Sequence, residues 1–274
     1  EADNGLTVSV KVEIEGNTHA SPVDESQLTV SGEFGAITLG AEDGASVLTH
    51  HGVRDAGFGM LCGDFGSWIN GIKGCGPGGM GTAGHGLGDK NNITYFSPRI
   101  NGVHFGVTYI PNIGQEAQTA PLTDNDSDAW AIGGNYVGDF GGANVAFSLG
   151  HYERATNYTY SNIGLQVGMG AFSFDVAYAV SDDGADAGDN TDVVAAGAMY
   201  SDGPMAVSLS STVAEADDGD DQWGTLLSAS YTLAPGIAWR NSLFAAERDR
   251  GATDDDAGTT VEGNGFVTGI TVSF

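Results

Sequence analysis

Basic residues are scarce in this chain. Nine Lys and Arg stand against 36 Asp and Glu among 274 residues, a formal charge of -27. That balance excludes nucleic acid as a partner, because phosphate binding needs clustered Lys and Arg. No run of about 18 apolar residues occurs, so no helix is expected to cross a membrane. No basic, apolar, small-residue leader opens the chain, and any export signal is expected to have been removed. Cysteine is limited to Cys62 and Cys75, close together in a Gly-rich stretch. In an exported protein such a pair reads as a disulfide, and closing so short a loop would contribute roughly 3 kcal/mol. Catalytic motifs are missing as well: there is no Gly-x-Ser-x-Gly, no His-Glu-x-x-His and no phosphate-binding loop. Gly84 to Gly88 is too short for a dinucleotide fingerprint and lacks a strand-to-helix setting.

What is present is apolar content, glycine and a period. Hydrophobic residues make up 41% of the chain, including 4 Trp, 9 Tyr and 12 Phe, which argues against a disordered acidic polymer. Apolar residues recur at every second position. Leu6, Val8, Val10, Val12 and Ile14 alternate with Thr7, Ser9, Lys11, Glu13 and Glu15. Phe266, Ile270, Val272 and Phe274 share one face with Thr268, while Val267, Gly269, Thr271 and Ser273 share the other. Each such run is a strand with one apolar face and one small or polar face. Fourteen are predicted, centred near Val10, Val30, Leu39, Thr94, Val107, Ile132, Phe147, Leu165, Val176, Ala196, Leu209, Leu227, Trp239 and Ile270.

Two kinds of connection alternate between them. Short ones lie at Phe34–Ala36, Pro98–Gly102, Gly138–Gly142, Gly168–Ala171, Ser201–Pro204 and Leu233–Gly236. Longer polar ones include Ser181–Asn190, Ala214–Asp221 and Arg248–Glu262. Short turns at one end and long loops at the other mark a transmembrane antiparallel β-barrel. Aromatic residues form two girdles, as a bilayer's two interfaces select. Phe34, Tyr95, Phe105, Tyr136, Phe172, Tyr200, Tyr231 and Phe274 fall near the short turns. Tyr109, Trp130, Tyr160, Tyr178 and Trp223 fall near the long loops. A soluble β-sandwich also alternates, but the second face here is too small and Gly-rich for a soluble exterior.

The residues then show a resemblance. Asp3-Asn4-Gly5-Leu6-Thr7-Val8, Val30-Ser31-Gly32-Glu33-Phe34-Gly35-Ala36-Ile37-Thr38-Leu39-Gly40 and Asn92-Ile93-Thr94-Tyr95-Phe96-Ser97-Pro98-Arg99 resemble Gram-negative general porins, nearest the alphaproteobacterial branch. Ile270-Thr271-Val272-Ser273-Phe274 is similar to the C-terminal signal read by the barrel-assembly machinery, with Phe274 as its last residue. The resemblance implies an integral protein of the bacterial outer membrane, among lipid and lipopolysaccharide, and a homotrimer of sixteen-stranded barrels. It also implies that the long loop after the fifth strand folds into the pore. Here the long connection, Glu42 to Lys90, follows the third predicted strand, and fourteen strands are visible. Both counts fit a single barrel domain over residues 1–274 that is N-terminally incomplete by two strands, with 42–90 as the constricting loop. The alternative is a natural fourteen-stranded closed barrel.

The implied activity is passive diffusion of ions and small hydrophilic solutes. Lys11 and Glu13 should face the lumen, and Arg54, Asp55, Asp64 and Lys73 lie on the long loop. Opposed rings of acid and base would filter solutes by charge and size; alternatively, these charges pair with each other and pin the loop. With so few basic residues, weak cation preference is expected. Acids cluster at Asp182, Asp183, Asp186 and Asp189, at Glu215, Asp217, Asp218, Asp220 and Asp221, and at Asp254, Asp255 and Asp256. Such clusters suit Ca²⁺, which takes many oxygens in loose geometry, but none has EF-hand spacing, and a solvated repelling surface is the plainer reading. His50, His51 and His85 share the long loop with the cysteines without matching a structural zinc pattern. No cofactor is expected. The rival readings are a substrate-selective channel guided by Phe58, Phe65 and Trp68, a barrel enzyme, and a plugged adhesion barrel.

Overall fold

The computed structural model describes residues 5–14, 23–59, 65–74, 79–83, 90–114, 128–155, 158–182, 184, 190–252, 254 and 256–273. Fourteen strands form one antiparallel sheet in sequence order. They are β1 (Thr7–Ile14), β2 (Val23–Gly32), β3 (Gly35–Ala41), β4 (Asn91–Phe96), β5 (Val103–Ile110), β6 (Ala129–Phe140), β7 (Ala143–Arg154), β8 (Thr159–Met169), β9 (Phe172–Asp182), β10 (Thr191–Asp202), β11 (Met205–Ala216), β12 (Asp221–Ala234), β13 (Ile237–Asp249) and β14 (Thr260–Val272). All fourteen predicted centres fall inside these strands. Two single-turn helices, α1 (Ala45–Leu48) and α2 (Phe65–Trp68), lie in the connection between β3 and β4. Among the described residues no helix is long and apolar enough to cross a membrane.

All six predicted short turns are present. At Asn101-Gly102 both residues have positive φ, 49° and 87°, as do Gly141 and Gly142 at 66° and 95°; backbone of that hand matches the twist of the flanking strands. The opposite end is less extended than the sequence suggests. β11 and β12 continue until only residues 217–220 join them, and 155–158 suffice between β7 and β8. Acidic residues at these ends still alternate and pair across the ladder, so polarity alone did not mark the strand limits: Asp192 opposes Glu215, and Asp221 opposes Asp249.

The exterior is apolar. On β9, Phe172, Phe174, Val176 and Tyr178 are exposed while Ser173, Asp175, Ala177 and Ala179 are buried. β14 repeats the pattern without a break, exposing Phe266, Thr268, Ile270 and Val272. A water-soluble protein does not expose contiguous apolar area of this kind, and a lipid-facing wall requires it. Aromatic contacts hold the girdle at the short-turn end: Tyr95 donates to the Phe34 carbonyl at 2.8 Å, and Phe172 packs on Tyr200 at 5.1 Å. Tyr160 is a correction. It faces inward, buried, and its hydroxyl donates to the Gly81 carbonyl at 2.9 Å.

Among the described residues no pairing joins β14 back to β1. Every residue of β1 is exposed, as expected of a strand paired on one edge only.

Candidate pore constriction and loop seat

The inner face explains part of the glycine content. Gly106, Gly133, Gly150, Gly164 and Gly197 lie where the inserted loop presses on the wall. A Cβ at Gly133 would fall on the Ala45 carbonyl and the Thr49 hydroxyl, and one at Gly164 on the His51 carbonyl. Side chains there would displace backbone, so only glycine permits the approach.

Into this seat the loop is laid strand by strand. The Ala45 amide donates to Thr108 Oγ1 on β5 at 2.8 Å, and Asn135 Nδ2 on β6 donates to the Thr49 carbonyl at 2.9 Å. The His51 amide reaches Ser148 Oγ on β7 at 2.8 Å, and Gln166 Nε2 on β8 reaches the Gly52 carbonyl at 2.6 Å. Arg54 meets Asp175 on β9 through its amide at 3.0 Å and its guanidinium at 2.5 and 2.9 Å. The Ala56 amide donates to Ser208 Oγ on β11 at 2.9 Å, and Arg240 on β13 donates to the Gly57 carbonyl at 2.8 Å. Phe58 ends the run against Gly269 on β14. From Thr49 to Phe58 an extended backbone reaches about 30 Å at roughly 3.3 Å per residue. Eight strand spacings from β6 to β14 cover about 38 Å along the wall. Residues 50–55 carry no turn or bend, whereas the chain turns at Thr49 and bends at Ala56, Gly57 and Phe58. Hydrogen-bonding side chains of the wall replace the neighbouring strand that such backbone would otherwise need.

A second limb, residues 79–83, runs beside the first. His50 Nε2 lies 3.2 Å from Thr82 Oγ1, and Asn162 Nδ2 bridges the Ser46 and Ala83 carbonyls at 3.2 and 2.9 Å. Burial lowers the His50 pKa to about 4, helped by the neighbouring His51, so the imidazole is neutral at pH 7. Ile69, Ile72 and Met80 pack on inward side chains including Tyr152, Leu226 and Phe244. This hydrophobic cluster accounts for the loop's apolar content and for the large residues on a face otherwise small. Trp68 is exposed, whereas Phe58 packs against the cluster; nothing is described of the Phe65 side chain.

The sequence-predicted charges fall in three places. Lys11 pairs with Glu13 at 2.5 Å, with Glu25 at 2.8 Å and with Glu42 at 3.4 Å. Arg54 and Asp55 sit on the seated track, where Asp55 accepts from the Gly57 and Gly59 amides, both at 2.8 Å, and from Ser208 at 3.0 Å. Lys73 joins Asp220, which is also held by Arg248 through two bonds of 2.6 Å; Arg248 in turn binds the Gly71 carbonyl and Asp254. Burial by itself would raise the Asp220 carboxyl, but Arg248 and Lys73 hold it below the ordinary carboxylate range. Asp64, Cys62, Cys75 and His85 lie outside the described residues, and no described contact supports the expected disulfide.

Asp175, Arg240 and Arg248 were missed as site residues, and Asp220 was named only within an acid cluster. A readable signal existed for Asp175 and Arg240: each is a lone charge at inward parity in the middle of an otherwise uncharged strand stretch. Among the acid clusters, Asp182 accepts from Gly184, Asp217 from Asn190, Asp218 from the Asp220 amide, and Asp254 pairs with Arg248. Asp183, Asp186, Asp255 and Phe274 are outside the described residues. No group of three or more His, Cys, Asp or Glu that could hold a metal is found among the described residues.

An apolar exterior, alternating turn lengths and a hydrogen-bonded loop seated on the inner wall define an integral outer-membrane barrel of the channel type. A model of the Gram-negative porin family matches residues 1–255, and the chain belongs to that family. It is a porin-type outer-membrane channel for passive solute diffusion. No curated protein matches. Among solved structures, the anion-selective porin from Comamonas acidovorans shares 20% identity over 99% of this chain and 86% of that one, with a TM-score of 0.65. OmpT of Vibrio cholerae in its trimer form shares 14% over 98% and 87%, with a TM-score of 0.63. A mutant Rh. blastica porin shares 14% over 100% and 86%, with a TM-score of 0.56. At these identities the likeness is one of fold.

Proposed function

We propose a general diffusion pore for ions and small hydrophilic solutes, with residues 42–90 as its constriction and weak preference for cations. The observation that carries this reading is the loop track from β5 to β14, held against the inner wall by hydrogen bonds to side chains of successive strands. Charge selectivity follows from pairing. Arg54, Arg248 and Arg250 each face carboxylates at close range, whereas around Lys11 three carboxylates share one ammonium. Planar-bilayer recording across a KCl gradient should give a reversal potential of the cation-selective sign; a chloride-selective sign overturns the proposal.

We also assign the chain to the alphaproteobacterial branch and to a homotrimer assembled by the barrel-assembly machinery into a lipopolysaccharide-containing membrane. Chemical cross-linking of the detergent-solubilised protein should stop at three copies. The wall is completed by two further strands between β14 and β1, a reading supported by the edges of β1 and β14 left unpaired among the described residues and by the long loop following β3. An intact mass of the source protein equal to 28.0 kDa would sink that part.

A further inference from the structure

A cavity of about 380 Å³ opens between the two limbs of the inserted loop and the wall strands β10 and β13. That lies at the small end of the roughly 300–1,000 Å³ typical of small-molecule sites. Its lining carries one cation, Arg240, and one carboxylate, Asp55; His50 and Thr82 add neutral polar groups, and Val53, Phe58 and Met80 apolar ones.

Asp55 and Arg240 are not ion-paired to each other, and Arg240 has no carboxylate partner among the described residues. Its guanidinium gives one hydrogen bond, to the Gly57 carbonyl, and its Nε is buried without a partner. Its ladder partners, Ser230 on β12 and Gly269 on β14, are uncharged. Asp55 retains acceptor capacity, because its two oxygens accept two amides and one hydroxyl while an ionised carboxylate has about four acceptor positions. A planar guanidinium with free donors suits a carboxylate, and the Asp55 carboxylate suits an ammonium. A simple organic anion would meet Asp55 as a repelling neighbour, and a simple cation would meet Arg240. A molecule carrying both charges, with an apolar side chain for the remaining wall, satisfies the whole lining.

We propose that this cavity is a binding subsite for free α-amino acids with apolar side chains. The ligand carboxylate sits on Arg240, its ammonium on Asp55, and its side chain against Val53, Phe58 and Met80. The inference rests on the open-channel reading above and narrows it, because a saturable site along the path gives one solute class a preferred route.

The test is single-channel recording of the full protein in KCl at pH 7. Leucine, leucinamide and N-acetylleucine, which are zwitterion, cation and anion around one side chain, are added in turn. Leucine should reduce the open-channel current saturably, and each analogue should need at least about tenfold higher concentration for the same block, having lost one charge-assisted partner. Arg240→Gln should raise the half-blocking concentration of leucine by a similar factor, with Arg240→Lys falling between. Ala195→Leu, which fills the cavity without touching either charge, should remove the block even if Arg240→Gln fails to fold. Equal block by all three solutes, no block by leucine, or block that survives Ala195→Leu overturns the subsite. A protein silent in KCl alone overturns the channel reading itself, and the subsite with it.

Discussion

Gly164 and Gly168 stand four residues apart on the inner face of β8 with opposite surroundings. A Cβ at Gly164 lands on the His51 carbonyl, whereas one at Gly168 finds nothing nearer than 3.8 Å. Gly164→Val should therefore dislodge the loop from the wall and lower the melting temperature in detergent, at a cost of about 1–3 kcal/mol for forced overpacking. Gly168→Ala should melt like the parent, and equal losses in both variants would contradict the seating described. Asp175 tests the same seat by charge. Its side chain is 1% exposed and its partner Arg54 36%, so Asp175→Ala leaves a half-exposed guanidinium that water can still solvate. The expected loss is about 2 kcal/mol, below the 3–5 typical of a fully buried pair, with faster amide exchange around Arg54. These residues were only partly legible beforehand. Small residues on alternate positions announced an inward face, but which glycine meets backbone depends on contacts more than a hundred residues apart.

At the scale of the element, the inserted segment has two anchors that respond differently to acid. His50 holds the inner track while neutral, with its pKa lowered to about 4 by burial. The unfolded imidazole titrates near 6.5, so the open form binds more protons between those values and the anchor weakens as pH falls from about 6.5 to 4. Asp220 holds the outer part. Its folded pKa lies below that of a free carboxyl, so its contribution is intact above about 4 and is lost only as pH drops through that depressed value. Hydrogen exchange, read as protection factors corrected for the intrinsic pH dependence of amide exchange, should show lower protection at residues 45–56 at pH 5 than at pH 7 with residues 69–74 unchanged, and His50→Gln should shrink that difference. Simultaneous loosening of both regions would count against separate anchors. Element positions were legible because period-2 patterning needs only local sequence. The wall strands Val176, Leu209 and Ile270 belong to could each be placed that way. The loop's path was not legible, since an irregular segment takes its conformation from wall side chains such as Thr108, Asn135 and Ser148.

For the whole molecule, three of the described acids at the loop end are held by arginine. Arg248 and Arg250 share Asp220, Asp254 and Asp256. Chelation by EDTA should accordingly leave the melting temperature unchanged; a drop reversed by added Ca²⁺ would show a bridging ion instead. The sequence established the inverted exterior, because Val10, Phe174 and Ile270 sit opposite small or polar residues rather than beneath a charged surface. Closure could not be read the same way, since the wall edges β1 and β14 present the same alternation whether paired or open. The hydrogen-bonded run from Thr49 to Gly57 has a geometric consequence for the bore. Tied to β6, β7, β8, β9, β11 and β13, it opposes widening of the wall there, because those ties must break one by one. Deleting a single residue from 50–55 would remove about 3.3 Å of reach, and the bends at Ala56, Gly57 and Phe58 would have to open for Phe58 to keep its seat against β14.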